Sequence, residues 1–361
     1  MLMKRDLMIK ESNPKILRVP HLAENVVFID GLEGCGKTLF SSLISSFDRV
    51  EKLNYSYEIE NICSLDYLNK FDKSVSVSLI RMWTDLILYN SMMSRDVNFR
   101  PSDISSAFKY HDKLEYLKRL FYKGDEDVPS LVKKKNPILA LTVHKLISRS
   151  QSIFKALDNR LKFIEIVRHP LYMITQQSLN NENMMDSVRD FTLYFEFNGR
   201  QLPWYTFGWE KEFLSLNSFE QSILYIKKMN DLTNNTKKKL GKNCKLILTI
   251  PFEIFVKDPN NYMDDIAQHI NSSITNKTLK ELKRQKVPRK KYSDGLPLEI
   301  YKRCGWEKPE KDLSELEEFQ KRRDFVELKA SKKYMNILDK LCSDYELKYF
   351  KKKLNINGKY S

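Results

Sequence analysis

Cysteine is scarce and unpaired in this 361-residue chain: five residues, Cys35, Cys63, Cys244, Cys304 and Cys342, lie far apart. Their spacing has no metal-site pattern and their odd number fits a disulfide framework badly, so reduced thiols are expected. Long hydrophobic runs are missing too, with no stretch of about 18 apolar residues anywhere. Met1–Lys10 has neither a long apolar core nor a small-residue cleavage site, and the expectation is a soluble cytoplasmic protein without signal peptide or membrane span. No repeat or heptad array occurs, and low complexity is confined to the lysine-rich tail. Acidic charge is in deficit, 47 Asp and Glu against 62 Lys and Arg, for a formal net charge of +15. That excess favours a polyanionic partner. A nucleotide satisfies part of it, and an acidic polysaccharide, nucleic acid or an anionic membrane surface fits the rest. Of these three, nucleic acid is the least expected. Hydrophobic residues at 42% and aromatics at 12% are too many for a disordered chain, and the length suits one large α/β domain with appendages.

Glycine is also rare, ten residues in all, yet three of them, Gly31, Gly34 and Gly36, fall within one short stretch. That stretch continues into Lys37 and Thr38 and matches G-x-x-x-x-G-K-[ST] at every fixed position. Val26–Ile29 before it reads as a buried strand and Leu39–Ile44 after it as an amphipathic helix. Strand, glycine turn and helix start together make a phosphate cradle, in which backbone N–H groups converge and Lys37 adds a mobile positive charge.

Residues 1–25, interrupted by Pro14 and Pro20, read as an arm laid against the domain. Asn54–Asp72 reads as turn-rich, and Ser74–Tyr89 fits a strand or a helix. Ser105–Phe121 is expected to be helical behind a cap. Pro137–His144 reads as a second buried strand ending on a histidine, Ile147–Leu157 as a helix, and Leu161–Val167 as a third strand delivering Arg168-His169-Pro170. Lys245–Ile250 is a fourth strand, followed by Pro251-Phe252-Glu253 and a helix from about Asn261 to Ile270. Strand, helix and strand in alternation imply a parallel sheet flanked by helices, whose ligands sit beyond the carboxyl ends of the strands. Gly31–Thr38, His144 and Arg168 would all emerge there. The aromatics between Thr192 and Trp209 fit either an acceptor pocket or a satellite core. Lys277–Lys291 is basic and runs into a loop, 286–295, that either folds over a phosphate or is a solvated surface. Ser314–Glu317 is a capping-box pattern opening charged amphipathic helices to about Phe350.

A phosphate loop usually serves phosphoryl transfer, which needs Mg²⁺ and a carboxylate to hold it. These strands deliver His144, Arg168 and Pro251 where that acid belongs. Asp85, Glu165 and Glu253 are poorly placed to replace it. Sulfuryl carries less negative charge than phosphoryl, so fixed cations and a general base suffice for its transfer: Lys37 at the leaving group, Arg168 at another phosphate, His144 taking the acceptor proton. A histidine ending a buried strand can also simply cap that strand.

In order along the chain, these segments resemble the sulfotransferases that use 3′-phosphoadenosine 5′-phosphosulfate. Gly31–Thr38 is similar to the family's 5′-phosphosulfate loop, Ile138–His144 to the strand ending in the catalytic histidine, and Phe163–Pro170 to the strand and turn whose arginine binds the 3′-phosphate. Leu248–Asp258 resembles the segment in which Phe252 would lie near the adenine. Arg289 and Lys290 would correspond to the basic loop that closes over the cofactor. The resemblance covers about residues 26–295 and implies a three-layer P-loop fold for a domain of residues 26–300. The helical C-terminal extension, 301–361, lies outside it and is expected from its amphipathic pattern to pack on the same domain. The resemblance implies His144 and Lys37 as catalytic residues and the donor's product as 3′,5′-adenosine bisphosphate. Gly31, Gly34, Cys35, Gly36, Lys37, Thr38, Arg168, Ser178, Phe252, Arg289 and Lys290 would hold the nucleotide, with no metal. Where the family places a serine downstream of the arginine, this chain has Gln176, with Thr175 and Ser178 nearby. Where a lysine often precedes the histidine, it has Thr142, and Lys145 follows instead. The other readings are an ATP- and Mg²⁺-dependent small-molecule kinase and a non-catalytic, nucleotide-regulated protein that binds polyanions.

Overall fold

The structure, a computed structural model, describes residues 15–19, 21–103, 105–182, 190–295 and 313–351. Residues 1–14 and Pro20 of the arm, Cys304, and residues 301–312 and 352–361 of the extension lie outside them. Numbered in chain order, the strands are β1 (Val26–Asp30), β2 (Asn54–Tyr55), β3 (Leu139–Thr142), β4 (Leu161–Val167), β5 (Tyr194–Phe197), β6 (Arg200–Pro203) and β7 (Ile247–Pro251). All five residues of β1 are buried. A strand with no polar face belongs in the middle of a parallel sheet covered on both sides. It lies there, in a five-stranded sheet of order β2-β3-β1-β4-β7 whose pairings are all parallel. Phe28 stands opposite Leu141 on one side and Phe163 on the other.

The pleat sends alternate residues of β1 into two cores. Val26 and Phe28 join Ile59, Ile80 and Phe154, whereas Val27 and Ile29 join Phe40, Leu43, Ile223 and Phe255. Each such side chain contributes about 1.5–3 kcal/mol on burial, so both helical layers are held to the sheet. The helices are α1 (Lys37–Ile44), α2 (Tyr57–Tyr67), α3 (Lys73–Met93), α4 (Lys113–Arg119), α5 (Val128–Lys135), α6 (Gln151–Leu157), α7 (Pro170–Glu182), α8 (Glu210–Leu214), α9 (Ser218–Leu240), α10 (Phe252–Lys257), α11 (Asn260–His269), α12 (Asn276–Arg284), α13 (Glu315–Glu327) and α14 (Lys332–Tyr345).

Four of the five sheet strands match the sequence-based reading, and the fifth does not. Asn54–Asp72, read as turn-rich, holds edge strand β2 and helix α2. Two residues make no recognisable strand pattern, and α2 buries Glu60, Ser64 and Asp66 alongside Ile59, Ile62 and Cys63, which dilutes its apolar period. The ambiguous 74–89 segment is the long helix α3, opened by the Asp72 carboxylate accepting from Ser74 N–H at 2.8 Å. Two expected helices are broken: a 3₁₀ turn, Ala107–Lys109, precedes α4, and another, Ile147–Arg149, precedes α6.

The arm is pinned where it meets α3. Asp85 accepts from Arg18 Nη2 at 2.9 Å and from the Leu22 and Ala23 amides at 2.7 and 3.0 Å. At the other end of the chain, Ser314 and Glu317 form the expected capping box. α13 and α14 bury Phe319, Val326, Met335 and Leu338 in the same core that contains α1, α7 and α9. No helix among the described residues is long and apolar enough to cross a membrane.

Candidate active site

β1 delivers the glycine loop, and its last residue fixes the next strand end. Asp30 is buried, and its two oxygens accept from the Leu146 and Ile147 amides at 2.9 and 2.7 Å. Burial pushes its carboxyl pKa up, against these bonds and nearby Lys37. The segment after β3 is therefore held beside the loop, as Lys145 N–H donating to Gly31 O at 3.1 Å also requires.

The loop leads into α1 with no side-chain cap and no acid in the first turn. Its opening N–H groups and the positive end of its dipole are left for an anion. Gly36 holds φ at 95° with the Phe252 ring against it, so only a residue without a β-carbon fits. Cys35 is buried in the loop, and burial pushes its thiol pKa up. Lys37, 7% exposed, turns its ammonium back to donate to Gly31 O at 2.7 Å and Leu32 O at 2.8 Å.

His144 follows β3 and is oriented by Glu60 of α2. One Glu60 oxygen lies 3.0 Å from His144 Nδ1 and 3.1 Å from its backbone nitrogen. With Nδ1–H donated to the carboxylate, Nε2 carries the free lone pair. Burial acts to raise the Glu60 pKa, but His144, then Arg149 and Lys145, hold it below the usual value. Tyr55 and Tyr57 lie 6.5 and 6.3 Å from the imidazole, with planes tilted only 8° and 14° from it.

Lys145 links this cluster to the loop through an ion pair with Glu33, whose other oxygen accepts from Tyr225 Oη at 2.5 Å. Burial opposes ionisation of Glu33, yet Lys145, His144 and Lys37 together hold its pKa well below the carboxylate range. The aromatic segment 192–209 contributes here. Its Tyr205 ring lies 5.2 Å from Lys145 Nζ and its Trp204 ring 4.1 Å from the Arg149 guanidinium. Trp204, Tyr205 and Trp209 are buried in the main core, β5 and β6 form a hairpin, and Phe207 is 53% exposed.

A second cationic group gathers at the ends of β4 and β7. Arg168 donates from Nη1 to Gly34 O at 2.8 Å and places its guanidinium 4.3 Å from the Phe252 ring centre. Arg289, in the loop after α12, stands 5.5 Å from the same ring. Burial, and then repulsion from Arg168, lowers its pKa to about 10. The Nε atoms of Arg168 and Arg289 are buried and make no hydrogen bond among the described residues. Two such donors beside an aromatic ring are suited to an anionic ligand. The side chain facing the loop from α7 is Gln176, its Oε1 3.2 Å from where a Gly34 β-carbon would stand. Ser178 is buried and donates to Thr175 O at 2.9 Å. Lys290 accepts at its carbonyl from Lys257.

His169, beside the arginine, is fully buried and paired with Glu346 at 3.1 Å. Glu253 accepts from His169 N–H at 3.2 Å and from Tyr345 Oη at 2.6 Å, and stands 3.7 Å from Arg168 Nε. The C-terminal helices thus support the arginine from behind. The candidate carboxylates are all engaged elsewhere: Asp85 by the arm, Glu165 by Lys237 and Thr249, Glu253 by Tyr345 and His169. No three His, Cys, Asp or Glu side chains among the described residues are grouped to hold a metal ion.

Sequence reading missed Glu33, Glu60 and Arg149. Glu33 occupies a variable position of the loop pattern, Glu60 lies in a segment read as turn-rich, and Arg149 lies in one read as a plain helix, where nothing local marks its contact with Trp204.

The sequence matches no protein-family model and no curated protein. In three dimensions the chain is similar to the sulfotransferase domain of a Synechococcus olefin synthase, at 12% identity and a TM-score of 0.35 over 74% of this chain and 81% of that one. It is similar to the sulfotransferase domain from the curacin biosynthetic pathway, at 14% identity and a TM-score of 0.37 over 73% and 78%. A sulfotransferase from Alicyclobacillus acidocaldarius aligns at 12% identity and a TM-score of 0.33 over 88% and 94%. These neighbours are all sulfotransferases, and the likeness concerns the course of the chain, not the chemistry of its side chains.

Proposed function

We propose that the chain transfers a sulfuryl group from 3′-phosphoadenosine 5′-phosphosulfate to a hydroxyl or amine of an acceptor such as a carbohydrate, lipid or small molecule. The observation that carries this reading is the convergence of an uncapped glycine loop, an oriented histidine and two partly buried arginines beside Phe252. When bound, the nucleotide supplies the activated sulfuryl group. The amides of Gly34–Thr38 and Lys37 hold its 5′ end, and Lys37 leaves its loop carbonyls to offset charge on the leaving oxygen. Arg168 and Arg289 bind the 3′-phosphate, with Gln176, Thr175 or Ser178 completing that contact, and Phe252 lies by the adenine. His144 Nε2 takes the acceptor proton while Glu60 holds the ring and offsets the imidazolium charge. Lys290 adds positive charge at the rim.

The kinase reading is favoured by the complete match to the phosphate-loop pattern. Against it, Asp30, the acid that ends a sheet strand beside the loop, spends both oxygens on backbone amides. Thermal unfolding with 3′,5′-adenosine bisphosphate and with ATP, each with and without Mg²⁺, separates the two. A ligand at a hundredfold excess over its Kd stabilises by about 2.7 kcal/mol. Stabilisation by the bisphosphate in chelator, followed by transfer of labelled sulfate, is expected. Stabilisation by ATP with Mg²⁺ alone would establish the kinase instead, and salt-dependent polyanion binding without turnover of either donor would establish the binding protein.

A further inference from the structure

α4 turns an apolar stripe to water. Leu114 and Leu117 of α4, and Phe121 in the turn that continues it, are 63%, 36% and 86% exposed, with Leu120 beside them at 51%. Polar groups on the opposite side fix the helix in place. Tyr116 Oη donates to Glu51 at 2.6 Å, and Arg119 pairs with the same buried carboxylate at 2.6 Å. The stripe therefore contributes nothing to holding α4, and leaving it in water is costly. Phe108, 44% exposed, lies in the 3₁₀ turn that packs against α4.

Its flanks are basic. At about 100° per residue, Lys113 and Lys118 project roughly 70° to either side of the stripe. Both are exposed and make no ion pair among the described residues. Of the acids nearby, Glu115 is paired with Lys135 and Arg119, Asp112 with Lys277 and Glu126 with Lys123, while Asp125 and Asp127, beyond the end of the stripe, accept from Tyr89 Oη and the Lys123 amide. An apolar stripe between lysines, on a chain of net charge +15, is complementary to a surface that is anionic above and hydrocarbon below.

We propose that this face docks on an anionic lipid surface, with Leu114, Leu117 and Phe121 entering the acyl boundary and Lys113 and Lys118 at headgroup level. Glu51, beneath the helix, precedes β2, so α4 lies toward the amino ends of the strands. Docking then leaves their carboxyl ends, with His144 and Arg168, open to water. The proposal does not rest on the chemistry assigned to those residues.

Co-sedimentation of the full chain with phosphatidylcholine vesicles, with and without about one quarter phosphatidylserine, tests it. Salt-sensitive partitioning onto the anionic vesicles is expected. Phe121→Ser and Leu117→Ser should each lower it about tenfold, and Lys113→Glu or Lys118→Glu about fivefold or more, all with unchanged thermal unfolding. Equal binding to both vesicle types, or binding that the serine variants leave intact, would overturn the proposal. So would a dimer in light scattering that Phe121→Ser dissolves, which would make the stripe a protein interface.

Discussion

Gly36 and Phe252 share one space: a β-carbon on the glycine would stand 2.3 Å from the phenyl ring. The ring that lies beside Arg168 and Arg289 thus also closes the phosphate loop from below, and the two halves of the proposed nucleotide site are in contact. Gly36→Ala should destabilise the fold by about 1–3 kcal/mol through overpacking, in addition to the strain of its positive φ. Pairing it with Phe252→Leu should relieve the steric part. Urea unfolding of the double-mutant cycle measures this coupling, and strict additivity would show that the ring moves aside freely.

Lys37→Ala removes two buried hydrogen bonds to the loop as well as the proposed counter-charge. The fold should lose about 1–3 kcal/mol and remain intact, while transfer is abolished. Normal turnover in this variant, measured with labelled donor, would sink the assignment of the loop.

Glu60→Gln keeps the shape of the side chain and removes the charge that faces His144. Turnover should fall at least tenfold, with affinity for the bisphosphate unchanged, because Glu60 acts on the base and not on the nucleotide. His144→Ala should behave the same way. Calorimetric titration beside steady-state rates distinguishes this from general damage, in which affinity and turnover fall together.

Arg168→Ala and Arg289→Ala should each weaken the bisphosphate by about tenfold or more, one charge-assisted contact being worth roughly 1.5–3 kcal/mol. Repulsion between the two guanidiniums has a further consequence. Without ligand, Arg289→Ala should unfold close to the parent, since the loss of two 3.3 Å bonds to carbonyls is offset by the removal of a like-charge neighbour. Arg168→Ala loses its bond to Gly34 O and leaves buried Glu253 short of a counter-charge, and should unfold at a lower temperature. A large loss of unliganded stability in Arg289→Ala would show that this arginine is structural.

Burial lowers the Lys52 pKa to about 8, against attraction from Glu51. Below that pH both folded and unfolded chains carry the charge, and the cost of burying it is present in full. From about 8 up to the ordinary 10.5 the unfolded chain binds the extra proton, so this group makes stability rise with pH. Urea unfolding of the parent and Lys52→Met between about pH 7 and 9.5 should show the difference between them shrinking as pH rises. A constant difference would show that the ammonium stays charged.

The course of the chain was legible where physical chemistry acts locally. Val26–Ile29 is an unbroken apolar run and Leu161–Val167 a mostly apolar one because each crosses the middle of a covered parallel sheet, and three glycines before Lys37 permit the positive-φ turn that the loop needs. Ser314 and Glu317 cap α13 by contacts within one turn. Other features depended on distant partners. Glu60 lies 84 residues from the histidine it orients, Tyr345 is 92 from Glu253, and Glu346 is 177 from His169. No local period or propensity reports such pairings, because they form only when packing brings separate elements together. Tertiary structure likewise turned Asn54–Asp72 into strand and helix, since β2 exists only through its ladder to β3. It also made the aromatics around Trp204 part of the main core, burial being a property of the assembled layers and not of the segment. The sequence by itself determined which groups meet at the carboxyl ends of the strands, and only the fold decided which carboxylates and rings hold them there.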